Sequence, residues 1–244
     1  MSGNSMAFLP MGSVVYQQYI SDTPTTIVSN LKDDGYTCIA MHPYYETGWS
    51  RNLVYPHIGF DEMHFIDYFD QTKILREYIT DQELYDKIIK RYENRKNNEK
   101  LFFMGITMQN HGGYTETYDN FPENYYKVGR SYTDANQYLS LVHESDEAVK
   151  NLISYFSKVD DPVEIIFFGD HQPSLNSNFY PILNGKGLTG LTEDELEKLY
   201  TVPFFIWTNY DTPEETVDIT SLDYLSTICL LYTSPSPRDG ATSR

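Results

Sequence analysis

Three short apolar runs in this 244-residue chain each lead into a histidine. Tyr36–Met41 ends at His42, Leu101–Met108 reaches His111 through Gln109-Asn110, and Val163–Phe168 ends in Gly169-Asp170-His171. A carboxylate and an imidazole leaving one strand end, with Gly169 permitting a sharp turn, form a compact pair of ligands for a divalent metal. The alternative is an aspartate that caps the following helix, with the histidine packed beside it. Beyond His42, Trp49-Ser-Arg51 offers a guanidinium suited to bidentate binding of phosphate or sulfate, and an indole to shield that contact from water. The alternative there is a half-buried Trp with an Arg stacked on it. The formal net charge is −17, but screening confines long-range repulsion of anions to about 8 Å. An anionic substrate would need a dense local set of cations, which a metal, Arg51, His42 and His111 would supply.

The elements that must position these residues follow from periodicity. A helix is expected from Thr23-Pro24, with Thr as N-cap and Pro in the first turn, to Gly35. Tyr36–Met41 reads as a buried strand. Thr80-Asp-Gln-Glu83 reads as a capping box opening a helix to about Lys96, with Leu84, Ile88 and Tyr92 on one face. Leu101–Met108 is a second strand. A long helix spans about Thr133 to Ser157 and buries Tyr138, Leu141, Val142, Val149, Leu152 and Phe156. Val163–Phe168 and Val202–Trp207 are further strands, with a capped helix at Thr192–Tyr200 between them. Strands apolar on both faces, alternating with amphipathic helices, imply an α/β fold with a mostly parallel sheet covered on both sides. Ligands bind outside the carboxyl ends of such strands. His42, His111 and Asp170–His171 are therefore expected on one face, with Arg51 pointing into the same crevice.

Composition excludes several classes. With 35 acidic against 18 basic residues, the chain lacks the basic face that nucleic-acid binding needs. No apolar run is long enough to span a membrane, and no leader opens the chain. Two cysteines, Cys38 and Cys229, cannot build a disulfide framework or a cysteine zinc site. No G-x-G-x-x-G, P-loop, G-x-S-x-G or H-E-x-x-H motif is present. His57, His64 and His143 are assigned to surface or core. The 22 tyrosines, among them Tyr44, Tyr45, Tyr125 and Tyr126, read mainly as packing, with a sugar-binding surface as the alternative. Residues 1–228 are read as the domain. Residues 229–244, polar and proline-broken from Tyr232 onward, read as a non-native or disordered tail.

Met41-His-Pro-Tyr-Tyr-Glu-Thr-Gly-Trp-Ser-Arg51, Tyr55 through Gly59-Phe60-Asp61, Thr107-Met-Gln-Asn-His-Gly-Gly-Tyr114 and Phe168-Gly-Asp-His-Gln-Pro173 resemble the lipoteichoic acid synthase family. These are bacterial phosphoglycerol transferases of the sulfatase and alkaline-phosphatase superfamily, and the resemblance runs from about Gly3 to Ile228. It implies a sulfatase-like fold and a metal-dependent transfer in which a threonine attacks phosphatidylglycerol. The glycerophospho-threonine so formed is passed to a polymer or glycan acceptor. It further implies Asp170 and His171 as ligands of a divalent ion (Mn2+, with Mg2+ or Zn2+ as alternatives). His42, Trp49, Arg51 and His111 would hold the phosphate and glycerol, and His111 is placed to assist proton transfer. In the family the threonine, a further carboxylate ligand, the first strand and the membrane helices precede the stretch that Gly3–Pro10 resembles. The chain is therefore expected to be a fragment of an extracellular, membrane-tethered enzyme, inactive alone. A sulfatase or phosphodiesterase that gives its intermediate to water, or a non-catalytic glycan-binding module, are the rival readings.

Overall fold

Local capping sets the first helical boundaries. The computed structural model describes residues 9–19, 25–121 and 132–233. After a single turn, α1 (Val15–Gln18), Thr26 and Ser29 cap α2 (Ile27–Asp33) reciprocally, satisfying two amide donors that a helix start leaves open. Gly35, at φ 83°, takes the left-handed turn that leads into β1 (Tyr36–Met41). The start expected at Thr23-Pro24, the residues Tyr125 and Tyr126, and the tail beyond residue 233 lie outside the described residues.

β1 is the centre of the fold. It pairs in parallel with β2 (Glu62–His64), which follows α3 (Arg51–Ile58), and with β5 (Lys100–Gly105). Alternation along β1 divides the core. Ile39 and Met41 face a cluster with Leu84, Ile88, Leu152 and Phe156, whereas Cys38 and Ala40 face one with Val28, Leu31, Val54 and Ile58. Helices thus cover both faces of the parallel sheet, as the two-sided apolar pattern of β1 requires. β2 carries Glu62 and His64 and has no apolar pattern, so its sequence does not announce a strand. Between β2 and β5 lie the small hairpin β3 (Ile74–Leu75)–β4 (Tyr78–Ile79) and α4 (Asp81–Glu93).

Three details depart from expectation. The Thr80 side chain accepts from the Glu83 amide, but the Glu83 carboxylate turns to the Asp70 amide at 2.8 Å, so the expected reciprocal capping box is half formed. α5 (Thr133–Phe156) buries Leu141, Val149, Leu152 and Phe156 but leaves Val142 exposed. β6 (Glu164–Phe168) pairs antiparallel with β7 (Phe204–Thr208), with α6 (Tyr180–Asn184) and α7 (Glu193–Lys198) between them. Burial on both faces is common to central strands of either direction, so the apolar runs could not set this orientation. The β6–β7 pair is a separate two-stranded sheet, but Ile165 and Phe167 pack on one core cluster and Ile166 on the other.

α8 (Leu225–Thr233) follows a short 3-10 turn at Leu222–Tyr224. It carries Leu225 and Cys229 into the core, so the boundary expected at residue 229 falls inside a helix. Among the described residues no helix is long and apolar enough to cross a membrane.

Candidate functional site

His42 leaves β1 with its amide bonded to the His64 carbonyl at 2.9 Å and its ring 2% exposed. Nδ1 lies 2.8 Å from the Ile106 carbonyl, just beyond β5. A carbonyl only accepts, so Nδ1 carries the proton, and Nε2 keeps a buried lone pair with no partner among the described residues. Burial lowers the pKa to about 4; the Ile106 carbonyl opposes this, and Arg51 and His111 lower it further. At neutral pH His42 is therefore an uncharged acceptor and not one of the cations expected at this edge. A buried acceptor left open is costly and calls for a hydroxyl or N–H donor.

Arg51 comes from the segment after His42. Trp49 and Ser50 both adopt left-handed backbone, at φ 54° and 57°, and Arg51 Nη1 folds back to donate to the Gly48 carbonyl at 2.9 Å. A Cβ at Gly48 would lie 2.9 Å from that nitrogen and 3.5 Å from Tyr44 Cδ1, so glycine is what allows the guanidinium to pack here. Trp49 is 59% exposed and presents its indole to solvent instead of burying the arginine contact.

The loop carrying His111 is built on residues that sequence reasoning did not single out. Arg76, buried and at φ 56°, donates through Nη2 to the carbonyls of Gln109 (2.9 Å) and His111 (2.7 Å). Through Nη1 it donates to the Gly113 carbonyl (2.9 Å) and to Gln137 Oε1 (3.0 Å). The rings of Tyr78, Tyr114 and Tyr118 surround it with centroids 5.5–5.9 Å away. On the other side Ser145 donates to Asp81 Oδ2 at 2.6 Å and accepts from Gln109 and Asn110, while the Asp81 amide donates to Gln109 Oε1. Burial pushes Asp81 up to about 6, against the opposing bonds from Ser145 and Gln109. The signal available in sequence was faint: an arginine within a two-strand hairpin and an aspartate that also suits a helix start. His111 Nδ1 itself lies 2.9 Å from the Gly112 carbonyl and 3.3 Å from the Tyr78 hydroxyl.

Asp170 and His171 stand at the carboxyl end of β6 with side chains 84% and 75% exposed. Gly169 allows close packing rather than a turn, since a Cβ there would meet Val202 Cβ at 3.0 Å. His171 Nδ1 lies 2.9 Å from the Gln172 carbonyl, which leaves the Nε2 lone pair 3.4 Å from Asp170 Oδ2. Two lone pairs side by side, with the imidazole tautomer held from behind, fit two ligands of a divalent ion. Among the described residues no group of three or more His, Cys, Asp or Glu could hold one.

The expected residues fall into two neighbouring groups. Arg51 and His111 both act electrostatically on His42. Asp170 acts on Tyr114 and Tyr138, and the Tyr114 hydroxyl donates to the Asn110 carbonyl at 2.8 Å, beside His111. His64, whose carbonyl accepts from the His42 amide, turns its ring to Glu62 and Tyr68 instead.

A helix-covered parallel sheet with His42, Arg51 and His111 gathered beyond its carboxyl ends is the architecture of a sulfatase-like α/β protein. The family model for Sulfatase matches residues 1–232, and the chain belongs to that family. A Rhizobium meliloti protein named for a provisional role in cyclic beta-1,2-glucan modification is 28% identical over 234 residues, 93% of this chain and 36% of its own length. The lipoteichoic acid synthase of Staphylococcus saprophyticus is 30% identical over 175 residues, 69% of this chain and 26% of its own. The chain thus spans about a third or less of these relatives. The Streptococcus pyogenes phosphoglycerol transferase GacH, solved with sn-glycerol-1-phosphate, superposes with a TM-score of 0.62 at 25% identity, covering 81% of this chain and 50% of that one.

Proposed function

We propose that this chain is part of the extracellular catalytic domain of a membrane-tethered phosphoglycerol transferase. Its donor is a glycerophosphate headgroup of the phosphatidylglycerol type, and its acceptor is a glycan or teichoic-acid-type polymer. The observation that carries the reading is a neutral His42, its buried Nε2 without a partner among the described residues, within electrostatic reach of the Arg51 guanidinium. A glycerophosphate offers both a hydroxyl donor for the first and a phosphate oxyanion for the second, whereas inorganic sulfate has no matching hydroxyl donor.

In this reading Arg51 orients the phosphate and His42 accepts from a glycerol hydroxyl. His111, steadied by Arg76 and Tyr78, is placed to give a proton to the departing oxygen. Asp170 and His171 hold a divalent ion of the Mn2+ type, which when bound supplies Lewis-acid activation of the attacking hydroxyl and neutralises phosphate charge. The threonine nucleophile that the family resemblance implies has no counterpart assigned among these residues.

Calorimetric titration of the chain with sn-glycerol-1-phosphate, glycerol and sulfate tests the binding half of the proposal. Glycerol phosphate should bind best, and Arg51→Ala and His42→Phe should each weaken it about tenfold or more. Equal affinity for sulfate would favour a sulfate-ester hydrolase instead.

A further inference from the structure

We propose that the cleft between the chain leaving β1 and the β3–β4 hairpin is a saccharide subsite that seats one neutral pyranose ring of the acceptor. This deepens the transferase reading and rests on it for the word acceptor. The cavity measures about 100 Å³ and is lined by Tyr44, Tyr45, Ile66, Gln71, Glu77 and Tyr78, among others. Tyr44 is its corner, with ring centroids 5.0 Å from Tyr45 at 69° and 6.3 Å from Tyr78 at 54°. Tilted rings of this kind present an apolar surface to the C–H face of a sugar. Tyr45, 58% exposed, shows far more of its ring than packing would leave. The exposed Gln71 and Glu77 supply an amide and a carboxylate at the rim, which suit sugar hydroxyls.

The chemistry also says what the cleft refuses. Among the described residues its lining includes no Lys, Arg or His, and Glu77 puts a negative charge at the rim, so these residues offer a phosphate-bearing unit no counter-charge. A volume of 100 Å³ is well below the several hundred Å³ that enclose a whole small ligand. One ring is seated and the rest of the glycan remains in solvent. Position supports the assignment: Tyr78 reaches His111 at 3.3 Å and the Tyr44 ring lies 6.1 Å from His42. A ring bound here lies next to the candidate phosphate site.

The test is aromatic-ring NMR of the full chain titrated with sophorose, cellobiose and maltose, and separately with sn-glycerol-1-phosphate. At least one disaccharide should shift the Tyr44, Tyr45 and Tyr78 rings, and Tyr45→Ala and Gln71→Ala should each weaken that response up to about tenfold. Tyr45 and Gln71 are exposed, so both variants should keep the wild-type thermal midpoint. No ring shift at millimolar concentrations of any disaccharide overturns the subsite, as does displacement of the disaccharide from Tyr45 by sn-glycerol-1-phosphate. Should glycerol phosphate leave His111 unmoved while a disaccharide shifts the three rings, the phosphoglycerol reading fails and the saccharide cleft stands.

Discussion

Arg76 Nη2 donates to the backbone carbonyl of His111 at 2.7 Å, from a guanidinium that also holds Gln109, Gly113 and Gln137. One buried fork therefore shapes the loop that presents His111. A lysine keeps the charge but cannot reach four acceptors in two directions. Arg76→Lys should lower stability by about 2–4 kcal/mol, because buried carbonyls lose their donors. It should also shift the His111 ring resonances. Denaturant unfolding and imidazole NMR measure the two effects, and a variant with wild-type stability and an unmoved His111 would remove Arg76 from this role.

Asp81 makes stability fall as pH rises. Its folded pKa is about 6 against an unfolded value near 3.9, so between these the folded state holds the extra proton. The folded state is favoured below pH 4, and that advantage, on the order of 2–3 kcal/mol, is lost as pH passes through 6. Asp81→Asn should abolish this part of the slope. The check is the wild-type minus variant difference in unfolding free energy at pH 4 and pH 7.

His42 acts in the opposite sense. Its folded pKa of about 4 lies below the unfolded value near 6.5, so the unfolded state takes the proton first and stability is lost as pH falls from 6.5 towards 4. Titration of the His42 ring by NMR should give a midpoint near 4. A midpoint above 6 would mean that the ring is solvated and that Nε2 is no buried acceptor.

At the proposed metal pair, Mn2+ should broaden the His171 and Asp170 resonances selectively, with weak affinity, since two ligands rarely suffice. His171→Ala should abolish the effect while leaving stability within about 0.5 kcal/mol of wild type, because both side chains are exposed. Undiminished broadening in that variant would place the ion elsewhere.

Ending the chain at residue 228 should lower the thermal midpoint measurably, because Cys229 is buried in the cluster around β1 and α2. Burial and the neighbouring Glu164 push its thiol up to about 12, so it stays a neutral, buried thiol. An unchanged midpoint would return residue 229 to the tail.

β1, β5, β6, β7 and α5 were legible because two-faced apolar runs and a 3.6-residue period are local properties. The exit of three such runs into His42, His111 and Asp170–His171 was legible for the same reason. β2 was not, since its Glu62 and His64 are stabilised by Arg91, Tyr68 and the β1 edge, partners distant in sequence. The antiparallel course of β7 depends on how the chain returns after α7, which side-chain polarity does not encode. Above all, the ionisation of His42, the burial of Asp81 and the four-way grip of Arg76 exist only once remote segments exclude water from these groups. Residue type and spacing determined where chemistry could gather; desolvation and hydrogen bonding in the folded chain decided which groups carry charge and which hold the others in place.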